Sequence, residues 1–241
     1  NEPVILHIIT EKGRGYKPAL EDPLKFHGLG KYNVETGETA ASDKPTYSQV
    51  FGRAVTDFAK ADEKIVAITG AMPGGTGLSI FKKEVPDRYF DVGIAEEHAA
   101  LFACGLATRG IKPFLTIYST FMQRAYDMIV HDMALQGLPV RLCMDRGGLS
   151  GDDGPTHHGL FDIGYLRHIP GLIHMQPKDE DEFADMLHTM AAYDVGLSAI
   201  RYPRGAIKGT PVKKKPQLLE IGKAEVVADG ASAIYGSDAV A

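Results

Sequence analysis

From residue 46 onward, apolar and polar positions fall into two alternating patterns. Short continuous apolar runs rich in β-branched residues, such as residues 64–69 and 140–144, predict strands buried on both faces. Between such runs the apolar spacing is helical: residues 47–61 place Val50, Phe51, Ala54, Val55 and Phe58 on one face, behind Thr46 as N-cap. The same reading predicts a glycine-rich loop at 70–77, a short helix at 78–85 and a strand at 89–92. A glycine turn and a helix from about Ala95 to Ala107 follow, apolar enough to be buried all round. A strand at 113–118, a helix at 120–136, the strand at 140–144 and a long loop at 145–159 come next. A short helix at 161–166, a strand at 172–175, a helix at 180–192 and a strand at 197–201 complete the series. Strands alternating with helices predict an α/β domain: a doubly wound, mostly parallel sheet with helices on both faces.

The flanks read differently. Residues 4–10 are apolar and β-branched, as in a strand buried on both faces, and are expected to close a preceding unit. Residues 11–45 mix Gly, Pro and charge without a period and predict a linker. Residues 202–217, again rich in Pro, Gly and Lys, predict a solvated connector, and strand-like stretches at 224–227 and 233–235 predict the start of another domain. The expected division is 1–15, 16–45, 46–205 and 206–241. With no initiator Met and an abrupt end, the chain is expected to be an excerpt of a longer protein.

Composition narrows the function classes. The 241 residues are 44% hydrophobic with a formal net charge of -5, which argues against a general affinity for nucleic acid or an anionic membrane surface. No apolar run approaches the ~20 residues that span a bilayer. Cys104 and Cys143 sit inside a helix pattern and a strand pattern, as small apolar fillers, and offer neither a disulfide nor a zinc framework.

Candidate chemistry lies at strand ends, where open α/β sheets hold ligands. Glu96 and Glu97 share a first helical turn, where an acid either complements the helix dipole or faces a ligand. Residues 70–77 follow a strand and precede a helix, so a phosphate cradle is one reading, but they lack both the Gly-Lys-Ser/Thr ending of a P-loop and the acid of a Rossmann unit, and a tight turn is the preferred one. Phe121 and Arg124, three apart, either present an aromatic face and a guanidinium to a planar ligand or are a core ring and a partner of Asp127. The loop at 145–159 carries Arg146, Asp152, Asp153, His157 and His158. Adjacent residues rarely converge on one ion, so a histidine poised for proton transfer is preferred to a metal site. Arg201 and Arg204 at the end of the last strand suit an anion clamp or a surface ion pair.

Taken together, KGRGYKPALEDPLKFHG (12–28), DVGIAEEHA (91–99), IYSTFMQRAYDMIVHDMA (117–134), DRGGLSGDDGPTHHGLFD (145–162) and RYPRG (201–205) resemble the 1-deoxy-D-xylulose-5-phosphate synthases, thiamine diphosphate enzymes of the transketolase superfamily. The resemblance implies that residues 46–205 form the pyrimidine-binding domain. It implies that Glu96 hydrogen-bonds the aminopyrimidine ring and that Phe121 stacks on it, with Tyr118 and Arg124 nearby. Arg146 and Arg204 would hold the phosphate of D-glyceraldehyde 3-phosphate, His157 and His27 would serve proton transfer and substrate orientation, and Asp153 matches a loop acid. The implied reaction condenses pyruvate with that aldehyde and releases CO2, in a homodimer located in the bacterial cytoplasm, or in the plastid of a plant or alga. The stretch that carries Mg2+ and the diphosphate is not in this sequence, so no metal ligand is expected here and the excerpt alone is expected to be inactive. A transketolase or a 2-oxoacid dehydrogenase β subunit is the alternative within the superfamily, and a non-catalytic α/β module the alternative outside it.

Overall fold

A computed structural model describes residues 2–23, 25–39, 44–213 and 215–224, so the strand-like stretches at 225–227 and 233–235 lie outside the described residues. The chain divides into two compact units, residues 1–43 and 44–241.

In the first unit the expected strand is absent: residues 2–10 belong to no strand or helix, and Val4, Ile5, Leu6, Ile8 and Ile9 are exposed. An apolar run becomes a strand only where a neighbour takes its N–H and C=O groups. The stretch read as a linker is partly folded. It holds a one-turn helix α1 (Lys17–Glu21), a 3-10 turn Lys25–His27 and a bridge between Tyr32 and Thr39. Tyr16, Phe26 and Tyr32 pack with ring centroids 5.4, 5.5 and 6.2 Å apart, a cluster brought together across turns rather than along one element.

The second unit is built on α2 (Tyr47–Ala61), β1 (Ile65–Thr69), α3 (Ser79–Glu84), β2 (Tyr89–Asp91), α4 (Glu96–Ala107) and β3 (Lys112–Tyr118), followed by a broken helical stretch. That stretch runs as α5 (Ser119–Met122), a 3-10 turn Gln123–Ala125, α6 (Tyr126–Met128) and a π-helical turn Ile129–Ala134. Then come β4 (Arg141–Asp145), α7 (Asp162–Leu166), β5 (Ile173–Met175), α8 (Glu180–Ala192) and β6 (Ser198–Arg201). All six strands are parallel, in the order β2-β1-β3-β4-β6-β5.

Alternate residues of the central strands serve opposite faces. Leu115, Ile117, Leu142 and Met144 join the core under α4 and the broken helix, while Phe114 and Cys143 join the core under α2 and α8. With both faces covered, β1 and β4 are buried throughout, which is why they read as unbroken apolar runs. Thr46 caps α2 in a capping box: its Oγ1 accepts from the Gln49 N–H at 3.2 Å, and Gln49 Oε1 accepts from the Thr46 N–H at 2.9 Å. Thr46→Ala in the full-length protein is expected to lower stability by about 1 kcal/mol, measured as a lower denaturant midpoint at unchanged slope.

Two expectations about helices are corrected by the structure. The helix at 120–136 is not regular: it passes through a 3-10 turn and a π-helical turn, while Met122, Ala125, Ile129 and Met133 stay buried. Helix α4 is buried on one face only, because the sheet covers one side, and Leu101 with the preceding Ile94 is exposed on the other. The described residues of 203–217 are mostly exposed and in no helix or strand, as a solvated connector is, and they are also tied to α8: the N–H groups of Gly209 and Thr210 donate to Glu180, Lys213 pairs with Asp181 and Asp185, and the Gln217 N–H donates to Asp185.

Candidate active site

The strand order reverses between β1 and β3, and the carboxyl edge of the sheet at such a point is where open α/β sheets hold their ligands. Gly93, with φ +76°, turns the chain from β2 into α4 and makes Glu96 the first helical residue. Glu96 is 3% exposed, and Arg124 Nη1 donates to its Oε1 at 3.2 Å; Glu97 is exposed. Arg124 therefore pairs neither with Asp127, which meets His131 at 3.5 Å, nor with solvent alone. Its guanidinium also lies 5.0 Å from the centroid of Phe121. Among the described residues none donates to Glu96 Oε2, which leaves one oxygen of a nearly dry carboxylate for a ligand donor.

Beside this pair stands an aromatic wall. Tyr118, the last residue of β3, stacks on Phe121 with centroids 5.7 Å apart and planes at 21°, and His157 meets the Phe121 ring edge-on at 5.3 Å. Burial pushes the Tyr118 hydroxyl up to about 12 despite the nearby Arg146, so it stays protonated at neutral pH. Arg146 lies 3.8 Å above the Tyr118 ring centroid and donates from Nη1 to the Gly75 carbonyl at 2.6 Å. Its Nε and that of Arg204 both meet Asp153 Oδ2, at 3.2 and 3.0 Å. The loop bearing His157 is tied down from both sides, as Thr120 Oγ1 donates to the Thr156 carbonyl at 3.2 Å and Ser150 Oγ to the His157 carbonyl at 2.6 Å. Glu96, Arg124, Phe121, Tyr118, His157, Arg146, Asp153 and Arg204 are thus linked in one chain of contacts. His27 lies in the first unit, its Nδ1 2.9 Å from Lys12 Nζ.

Other candidates are used structurally. Arg201 is buried, its guanidinium spent on Asp162, Gln176 and the Gly159 carbonyl, so only Arg204 of the suggested clamp reaches Asp153 beside Arg146. The loop 70–77 spends the N–H groups of Thr76, Gly77 and Ser79 on its own carbonyls, as a tight turn does. His158 Nδ1 accepts from the Ser150 N–H at 3.0 Å, and among the described residues no three His, Cys, Asp or Glu side chains converge as metal ligands.

Two residues that brace the site were assigned no role from the sequence. Asp91 Oδ1 accepts from the N–H groups of Ala71 at 2.7 Å and Gly93 at 3.1 Å, joining the loop after β1 to the turn before Glu96. Gly75 approaches Tyr118 so closely that a Cβ there would stand 1.6 Å from the phenolic oxygen. Only its glycine identity and its place after a strand were available as hints.

Residues 43–210 match the family model described as transketolase, pyrimidine binding domain, and the chain belongs to that family. It is 63% identical over 230 residues to the 1-deoxy-D-xylulose-5-phosphate synthase of Acidobacterium capsulatum and 60% identical over 228 residues to that of Methylacidiphilum infernorum. In each case the match covers 95% of this chain and 36% of the relative, so the chain spans about a third of the length of the relatives it matches. The fold is also that of a split-gene transketolase, an inactive β4 tetramer, with TM-score 0.62 and 24% identity over 73% of this chain and 57% of the other.

Proposed function

We propose that the full-length protein is a thiamine diphosphate-dependent transferase that condenses pyruvate with D-glyceraldehyde 3-phosphate, releasing CO2 and giving 1-deoxy-D-xylulose 5-phosphate, and that this chain supplies its pyrimidine-binding half-site. The identity of 63% across 95% of the chain to a synthase of that name carries the reading. The residues present fit the cofactor's aminopyrimidine: a buried carboxylate with one oxygen unclaimed by the described residues, beside a half-buried aromatic ring. When bound, thiamine diphosphate supplies the acidic thiazolium carbon on which an α-keto acid loses CO2.

In this reading Glu96 holds a proton shared with the pyrimidine ring nitrogen, and Arg124 keeps that carboxylate oriented. Phe121 offers its face to the ring, and Tyr118 closes the wall behind it. Arg146 and Arg204 receive the phosphate of the acceptor aldehyde, with Asp153 between them. His157 and His27 orient the substrate and move protons. Mg2+ and the diphosphate are assigned to a part of the full-length protein outside this chain. The exposed Ile94 and Leu101 support a homodimer, and the bacterial relatives support a cytoplasmic location.

Assaying the full-length protein with pyruvate and D-glyceraldehyde 3-phosphate tests the proposal. The expected result is CO2 release with formation of the five-carbon phosphate. No CO2 release from this pair, with turnover of a ketose donor instead of pyruvate, would move the protein elsewhere in the superfamily.

A further inference from the structure

Arg146 follows β4 in the left-handed backbone region, with φ +62°, a conformation that non-glycine residues hold only when their surroundings impose it. The preceding residue, Asp145, is wholly buried at the end of β4. Its Oδ1 accepts from Arg146 Nη1 at 2.9 Å, and its Oδ2 accepts from Ser48 Oγ at 2.6 Å, across from α2. A carboxylate is costly to place in such a site, and burial pushes it up to about 6, with Arg146 and Ser48 offsetting only part of the cost.

A structural explanation does not account for that cost. An ion pair between adjacent residues closes no loop and cannot staple distant elements together. The Ser48 contact does reach across the fold, but a neutral acceptor would satisfy a serine hydroxyl equally well. What the carboxylate does is hold Nη1 of one guanidinium from inside the fold, while Asp153 meets its Nε at 3.2 Å. That guanidinium lies on the Tyr118 ring and donates to the Gly75 carbonyl, so the loop after β1 and the ends of β3 and β4 meet at one cation.

We infer that Asp145, itself held by Ser48, is a positioning residue that presets the Arg146 guanidinium for the phosphate of the acceptor substrate. The inference rests on the proposed reading of Arg146 as a phosphate ligand. It assigns Asp145 and Ser48 to acceptor selectivity, with no contact to the reacting atoms.

The test compares Asp145→Asn with wild type in the full-length protein, using pyruvate with D-glyceraldehyde 3-phosphate and with unphosphorylated D-glyceraldehyde. The expected result is that the preference for the phosphorylated aldehyde, as a ratio of kcat/KM values, falls tenfold or more, chiefly through KM. The inhibition constant of inorganic phosphate competing with the phosphorylated aldehyde should rise by a similar factor. Ser48→Ala should move both quantities in the same sense by a smaller factor, which keeps the test decisive if Asp145→Asn folds poorly. Equal losses on both aldehydes, or an unchanged ratio, would overturn the inference and leave Asp145 a structural residue. A wild-type protein inactive on pyruvate and the phosphorylated aldehyde would overturn the reaction assignment as well, so the two failures are told apart.

Discussion

Glu96→Gln in the full-length protein is expected to lower kcat by about two to four orders of magnitude, the range for losing a positioned proton-transfer group. The amide has the size of the carboxylate and can still accept from Arg124, so fold and packing are expected to survive. What it cannot do is hold a shared proton on a ring nitrogen. The loss should therefore appear in kcat, while the dissociation constant for thiamine diphosphate, measured by calorimetry, changes by less than about tenfold, or 1.4 kcal/mol. Glu97→Gln is the control. That side chain is exposed in the same first turn, where an acid contributes only a few tenths of a kcal/mol to about 1 kcal/mol through the helix dipole. Were Glu96→Gln to retain a tenth or more of wild-type turnover, Glu96 would be reduced to the role given to Glu97.

The comparison of these two acids shows what a sequence can and cannot disclose. Both sit in the first turn of an apolar helix, and their spacing to every other motif differs by one residue. Only the rotation of α4 on the sheet buries one and exposes the other, and that rotation is set by packing of Ala99, Ala100 and Ala103. Elements whose own residues determine them were legible: α2, with its capping box, and α8, with Asp179 accepting from the Glu182 N–H, begin where their caps stand. The parallel sheet followed from strands too apolar to have a wet face.

What was not legible depends on partners distant in sequence. The run at 4–10 has strand composition, but a strand exists only with a neighbour. The 3-10 and π turns between Gln123 and Ala134 are imposed by the core they follow, and no residue in them forbids a regular helix. Arg201 and Arg204 are equivalent in sequence, yet a position inside β6 gives the first to Asp162, while a position after it gives the second to Asp153. Asp145 reads as an ordinary loop acid until Ser48, 97 residues away, is seen against it.

The close approach of Gly52 and Gly77 carries the second large effect. A Cβ on Gly52 would stand 2.1 Å from the Gly77 carbonyl oxygen, and one on Gly77, whose φ is +75°, would stand 1.9 Å from the Ser48 carbonyl oxygen. Helix α2 thus rests directly on the backbone of the loop 70–77, and neither side has a flexible atom to yield. Gly52→Ala gains up to about 1 kcal/mol of helix propensity. Overpacking typically costs about 1–3 kcal/mol, and more where backbone must move. A net loss of about 2 kcal/mol is therefore expected, seen as a lower denaturant midpoint of the full-length protein. Gly105→Ala separates propensity from packing: Gly105 is exposed in α4 with open space around its Cβ position, and the same substitution there should stabilise by about 0.5–1 kcal/mol. The loop that Gly52 supports also carries the Gly75 carbonyl that receives Arg146. Displacing it should raise KM for the phosphorylated acceptor more than it lowers kcat if Arg146 is the phosphate ligand proposed above, because the loop braces Arg146 and Glu96 is anchored from the other side by Arg124. A Gly52→Ala protein of wild-type stability and KM would show that α2 and the loop can part without cost, and the contact would then be incidental to both fold and site.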